Sequence, residues 1–260
     1  MVIDNEITYN SNLLKGAGLT QEMLVLIEAY MPGESAQVFQ KRVLKEGILS
    51  KSTDNRKIDL VRNVFRMRFL DQKLDVTQYI KSMRDEYVSI DVINQLFLIY
   101  TCRANPILSD FIHEVYYTKR KKSNDAPNLP ELIGFVNDSI SNGRIKEHWS
   151  KSTIEKVARH INTCLIDFGL VDKSKQNLPF RAIDLTVNYL IHELHFQGYS
   201  DMEILHHRDW QIFDLDPNSL ASVAERISFK GTFIFQYSGE ILKIGWNYQS
   251  MEEFIENECR

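Results

Sequence analysis

The 260 residues are 43% hydrophobic and 25% charged with only 11 Gly and 6 Pro, which leaves little room for disorder and supplies core for two modest domains or one large one. The formal charge of −4 is uneven: residues 1–177 hold 25 Lys and Arg against 22 Asp and Glu, residues 178–260 hold 6 against 13, and residues 41–70 hold 9 against 3. Three widely spaced cysteines, Cys102, Cys164 and Cys259, argue against a disulfide or zinc framework, and the most apolar run, Val92 to Tyr100, is far short of the roughly 20 residues of a membrane span.

In chain order, Met1 to Glu6 has neither the basic flank nor the apolar core of a signal peptide, so a soluble cytoplasmic protein is expected. Helices are predicted from Thr20 to Tyr30, closed by Pro32-Gly33, and from Glu34 to Glu46, stopped at Gly47. A long basic helix follows from about Thr53 to Leu70. Residues 76–88 and 89–102 form a helical pair with Ser89 as cap and Asn105-Pro106 as stop. A helix from Ile107 to Tyr117 runs into Lys119-Arg120-Lys121-Lys122 and the polar, proline-bearing loop to Pro130, which sets the expected boundary between an N-terminal helical unit, 1–122, and a C-terminal one, 123–260. Helices are then expected from Pro130 to Asn142, from the Ser150 region to Phe168, and from Arg181 to Gln197. Ser200 and Glu203 form a capping box for a short helix to His207. Leu170-Val171 reads as a short strand. A helix from Pro217 to Ile227 leads to one hairpin, Thr232 to Tyr237 against Glu240 to Trp246, and Ser250 caps an acidic last helix. The fold class is mainly α, two helical units with helix-turn-helix and winged-helix character and one C-terminal β-hairpin.

The tetrapeptide Ser50-Lys51-Ser52-Thr53 recurs one hundred positions later as Ser150-Lys151-Ser152-Thr153. Each copy follows an amphipathic stretch and a glycine, Gly47 or Gly143, and each opens a helix with one apolar stripe: Ile58, Val61 and Phe65, or Ile154, Val157, Ile161, Leu165 and Phe168. Helix, glycine turn and hydroxyl-capped second helix with cations outside is the pattern of a helix-turn-helix. Helix N-termini with hydroxyls and lysine suit a phosphate. The candidate DNA contacts are Lys51, Ser52, Arg56, Lys57, Arg62 and Arg66 in the first copy, and Lys151, Thr153, Lys156 and Arg159 in the second. Lys119, Arg120, Lys121 and Lys122 are either a solvated helix end or a further contact.

Catalytic patterns are missing. His192 and His195 stand three apart, where the zinc-protease motif needs four, and neither His206-His207 nor Asp209 completes a tetrahedral set, so no metal is expected. The Lys-Ser pairs have none of the glycines of a P-loop, and Gly16-Ala17-Gly18 is too short for a dinucleotide fingerprint. No nucleophile, base and orienter stand in a recognisable arrangement. A non-enzymatic protein without cofactor is expected.

Three segments together are similar to one family. Tyr9 to Leu19 resembles its N-terminal signature, Leu49 to Thr53 with the basic helix its first motif, and Trp149 to Thr153 with Phe168-Gly169-Leu170-Val171 its second. The chain resembles the BrxA family, the small helical component of BREX (bacteriophage exclusion) defence systems, over about residues 9–250. The resemblance implies a helical, helix-turn-helix-like protein that binds double-stranded DNA and works beside other BREX subunits, including a methyltransferase and an ATPase. Phosphate contacts with weak sequence preference are expected, since no exposed face gathers a base-reading set of Asn, Gln and Arg. Two alternatives remain: an RNA-binding, antitermination-like protein that stacks bases on Tyr116, Tyr117 and Trp149, or an adaptor whose basic helices dock acidic protein surfaces.

Overall fold

A computed structural model of the chain describes residues 8–50, 52–239 and 241–259. It is mainly helical. Helix α1, Thr20–Ala29, is followed by α2, Ala36–Lys45, whose cap Ser35 accepts the Val38 N–H at 3.3 Å. Helix α3, Asp54–Asp59, continues without a break into a π-helical segment, Leu60–Leu70. Helices α4, Val76–Asp85, and α5, Ile90–Ala104, follow where two helices are expected. Pro106 stops α5 and begins α6, Pro106–Phe111, at a position where its missing N–H costs nothing. A second π stretch, Ile112–Tyr116, joins α6 to α7, Tyr117–Arg120.

Helix α8, Leu129–Ser141, begins at a capping box: Asn128 accepts the Glu131 N–H at 3.0 Å, and the Glu131 carboxylate accepts the Asn128 N–H at 2.7 Å. Helix α9 follows, Lys151–Asp167. Leu170 and Val171 form no strand; Val171 makes a single bridge to Asn177. The chain then forms α10, Asp184–Phe196, α11, Asp201–Leu205, with the predicted Ser200–Glu203 box, and α12, Pro217–Ser228. Strands β1, Phe233–Tyr237, and β2, Leu242–Trp246, pair antiparallel with Phe233 opposite Trp246 and Tyr237 opposite Leu242. Ser250 caps α13, Met251–Glu258.

Packing divides the chain into two compact units. The first comprises residues 1–68 and 98–180; the second comprises 69–97 and 181–260. The polar loop before Pro130 lies inside the first unit. Two of the three changes of unit fall within helical segments, after Arg68 and after Phe97, and the third falls after Phe180 in the stretch before α10. The first unit carries 22 Lys and Arg against 17 Asp and Glu; the second carries 9 against 18.

The core of the first unit is built where apolar stripes meet. Tyr30, Phe39 and Phe65 form a ring cluster with centroids 5.2 to 5.8 Å apart, holding α1, α2 and the basic helix together. Phe111 meets Phe135 edge-on at 5.3 Å, and Val157, Ile161 and Leu165 are buried along α9. In the second unit α10 is buried from Thr186 to Leu194, so it is a core helix rather than a surface one. His192 sits among Phe233, Trp246, Tyr248 and Phe254, and His195 stacks on Trp246 at 3.8 Å.

Candidate nucleic-acid interface

The two tetrapeptides are not equivalent in three dimensions. In the first copy the cap is Thr53, which accepts the Arg56 N–H at 3.3 Å, so Ser50 and Ser52 lie in the turn before the helix. In the second copy the cap is Ser150, which accepts the Thr153 N–H at 3.2 Å, so Lys151, Ser152 and Thr153 lie within the first helical turn. The register differs by three residues, because any hydroxyl of the four can cap a helix and the surrounding packing chooses which. The preceding glycines play the same part in both: Gly47 and Gly143 adopt φ of 68° and 80°, where a β-carbon is disfavoured.

Lys51 lies outside the described residues. Ser52 is half-buried, its N–H bonded to the Leu49 carbonyl at 2.9 Å. Arg56 donates to the Lys15 carbonyl. Lys57, expected on the outer face, is buried at 7% exposure and paired with Asp54 at 3.3 Å. Asp54 stands in the first turn and weakens this N-terminus as an anion site. Arg62 and Arg66 are exposed, four residues apart on the π-helical segment.

In the second copy the Ser150 hydroxyl lies 3.0 Å from those of both Ser152 and Thr153, and the first turn holds no acidic residue. Lys151 and Lys156 are exposed. Arg159 is exposed as well and pairs with Glu155 at 3.3 Å, a helix-surface pair that contributes only about a few tenths of a kcal/mol. The run at 119–122 divides: Lys119 is tied to Glu131 at 2.5 Å and Arg120 to the Phe180 carbonyl at 3.1 Å, while Lys121 and Lys122 are exposed. Every described candidate belongs to the basic unit.

The stacking residues of the RNA alternative are core residues. Tyr116, Tyr117 and Trp149 are buried, and the Tyr116 hydroxyl donates to the Leu170 carbonyl at 2.8 Å. The histidines are packing elements too. The His192 Nδ1 lies 2.9 Å from the Asn188 carbonyl, and burial pulls its pKa down to about 4. His207 lies 3.3 Å from Asp209. Among the described residues no group of His, Cys, Asp or Glu is placed to hold a metal ion.

Sequence reasoning missed the residues that hold this region in place. Arg68 is buried at 1% exposure and donates to the carbonyls of Gly16, Ala17 and Gly18 at 3.0, 2.5 and 2.7 Å. Burial pulls its pKa down to about 10, so it remains charged at neutral pH. The Asp167 carboxylate, at the end of α9, accepts N–H bonds from Gly18 and Leu19, although burial raises its pKa. Tyr9 donates to Asp110 at 2.5 Å and accepts from Arg144, which also forks onto Glu114 at 2.6 and 3.1 Å. One signal was present: Arg68 stands seven residues after Val61, in line with the apolar stripe, and a cation on such a stripe needs buried acceptors.

No helix among the described residues is long and apolar enough to cross a membrane. In three dimensions the chain is similar to an uncharacterized protein from Magnetospirillum magneticum, with a TM-score of 0.57, 16% identity, and coverage of 78% of this chain and 98% of that one. That likeness concerns the fold. In sequence it is 22% identical over 176 residues to the BREX protein BrxA of Escherichia coli O9:H4 (strain HS), covering 67% of this chain and 79% of that protein. The BrxA family pattern matches residues 7–193, which takes in the glycine segment, the basic helix and both tetrapeptides. The chain therefore belongs to the BrxA family.

Proposed function

We propose that this chain is a non-enzymatic, double-stranded DNA-binding subunit of a BREX phage-defence system, acting beside other BREX subunits. Its family and its relative's name support the defence role. The observation that carries the DNA reading is the segregation of charge by compact unit, with every described candidate cation in the basic unit. Arg62, Arg66, Lys122, Lys151, Lys156 and Arg159 present cations to solvent, and the first turn of α9 adds N–H groups and hydroxyls with no acidic residue in that turn. Lys57, Lys119 and Arg120 have partners within the protein and contribute charge rather than direct contact. Helix α2, the glycine turn and the basic helix act as a helix-turn-helix that grips phosphates without strong sequence preference. The hairpin, in the acidic unit, packs on protein rather than serving as a DNA wing.

The test is duplex binding measured as a function of salt. Log affinity should fall against log salt with a slope of about −0.9 per neutralised phosphate. A salt-insensitive complex overturns this reading. Structured RNA should compete poorly, since the expected stacking aromatics are buried. The adaptor reading, with the same basic helices on acidic protein surfaces, would be favoured by retention of partner subunits with no shift of DNA at physiological salt; the acidic unit, where Tyr87 and Phe229 are 93% and 82% exposed, suits docking in either case.

A further inference from the structure

The segment carrying Arg62 and Arg66 is wound as a π-helix over eleven residues, and such runs are rare because α-winding is ordinarily the more stable. Something local must hold it. Arg68, on the same segment, is the strongest fixed point: a fully buried guanidinium whose donors reach three consecutive carbonyls. Those carbonyls can converge because their chain lies tight against its neighbours. A β-carbon on Gly16 would come within 3.1 Å of Val64, and one on Gly18 within 2.3 Å of the Asp167 β-carbon. An α-helix turns about 100° per residue and a π-helix less, since its bonds span five residues. The angular difference accumulates along the segment. Rewinding it with the Leu60 end held would carry Arg68 off its carbonyls and strand a buried cation.

We propose that Arg68 is a positioning residue: its clamp on Gly16, Ala17 and Gly18 holds Leu60–Leu70 in π-winding and thereby aims Arg62 and Arg66, six and two residues before it, as one exposed pair. The same glycine strap accepts Arg68 through its carbonyls and donates to Asp167 through its amides, so one short segment fixes both the basic helix and the far end of α9. The proposal rests on the reading that Arg62 and Arg66 meet phosphate.

The experiment is a double-mutant cycle on the full chain. Arg62 and Arg66 are changed together to Gln, and Arg68 is changed separately to Met and to Lys. Duplex affinity and its salt slope are measured for each variant and for the triple combinations, and the Arg68→Lys protein is crystallised. Arg68→Met should weaken duplex binding about tenfold and lower the slope as much as R62Q/R66Q does, and the triple change should add little to R62Q/R66Q alone. Arg68→Lys keeps the charge but not the fork, so it should show a partial loss with the segment rewound toward α. If Arg68→Met does not fold, the Arg68→Lys cycle and crystal structure decide the matter. Wild-type slope in either folded Arg68 variant, or an unchanged π-helix beside a weakened complex, overturns the proposal. If instead R62Q/R66Q binds like wild type, the DNA reading of this helix fails, and the crystal structure still reports whether Arg68 sets the winding.

Discussion

His192 is a neutral histidine enclosed by aromatic rings, with Phe254 stacked at 4.3 Å. His195 also faces it, and the His192 Nδ1 donates to the Asn188 carbonyl; the Asn188 and Thr232 backbones favour the cation, but burial outweighs them. Its pKa falls from the ordinary 6.5 to about 4 because burial disfavours the cation. A depressed folded value means the unfolded chain takes up the proton first. The associated stability is whole above about pH 6.5 and drains as pH falls toward 4, by about 3 kcal/mol in all. Urea unfolding across that window should show the loss, and His192→Gln, which keeps an amide donor but cannot titrate, should remove most of the slope. An equal slope in the variant would mean other groups carry it. Gly18 makes a second residue-scale case. An Ala methyl there meets Asp167 carbon at 2.3 Å, so Gly18→Ala should lower stability by about 1–3 kcal/mol in the same assay. An unchanged urea midpoint would show that the strap can shift.

Among the elements, the capped helices were the most legible part of the fold. Ser150, Ser200 and Ser250 cap as their positions suggest, since a hydroxyl before an apolar-periodic run has one local use, whereas the expected start at Glu34 missed the Ser35 cap. The π-winding was not legible. Burial along the segment repeats every four residues, with Leu60 and Val61, Val64 and Phe65, and Arg68 and Phe69 inside, and a short pattern of that period fits either winding. Nor was the shifted register of the tetrapeptides, because four consecutive cap-competent positions leave the choice to tertiary packing. The shift changes what each helix offers. The first presents side-chain cations with an acidic first turn; the second presents a clean N-terminus. Reversing charge at Arg62 and Arg66 should weaken duplex binding by about 1 kcal/mol or more per site and reduce the salt slope by nearly one per lost contact. Reversal at Lys156 and Arg159 should act in the same direction but less, since Glu155 already competes for Arg159. Near-UV circular dichroism should be unchanged in both, because all four side chains lie on the surface. Equal binding by all variants would move the search to Lys121 and Lys122.

For the molecule as a whole, the sequence showed that its last third is acidic, but not how its segments combine. Residues 69–97 join 181–260, and no turn or linker announces either end of 69–97, because both lie within helical segments. The regrouping sharpens the charge contrast, from 25 against 22 over residues 1–177 to 22 against 17 in the basic unit. Charges further apart than roughly 10 Å are largely screened at about 0.1 M salt, so a docked duplex should respond to this local sign rather than to the net −4. Lysine acetylation footprinting of the intact protein tests that directly. With duplex DNA bound, Lys122, Lys151 and Lys156 should be protected, while Lys73, Lys230 and Lys243 of the acidic unit should react as they do in the free protein. Lys73 and Lys230 also supply a built-in control: the first donates to the Gln197 carbonyl and the second lies 3.4 Å from Asp184, so their reactivity reports whether the acidic unit stays folded throughout. Protection spread evenly over both sets would mean that DNA does not select the basic unit. Protection at Lys122 alone would place the contact on the charge run and leave both capped helices as architecture.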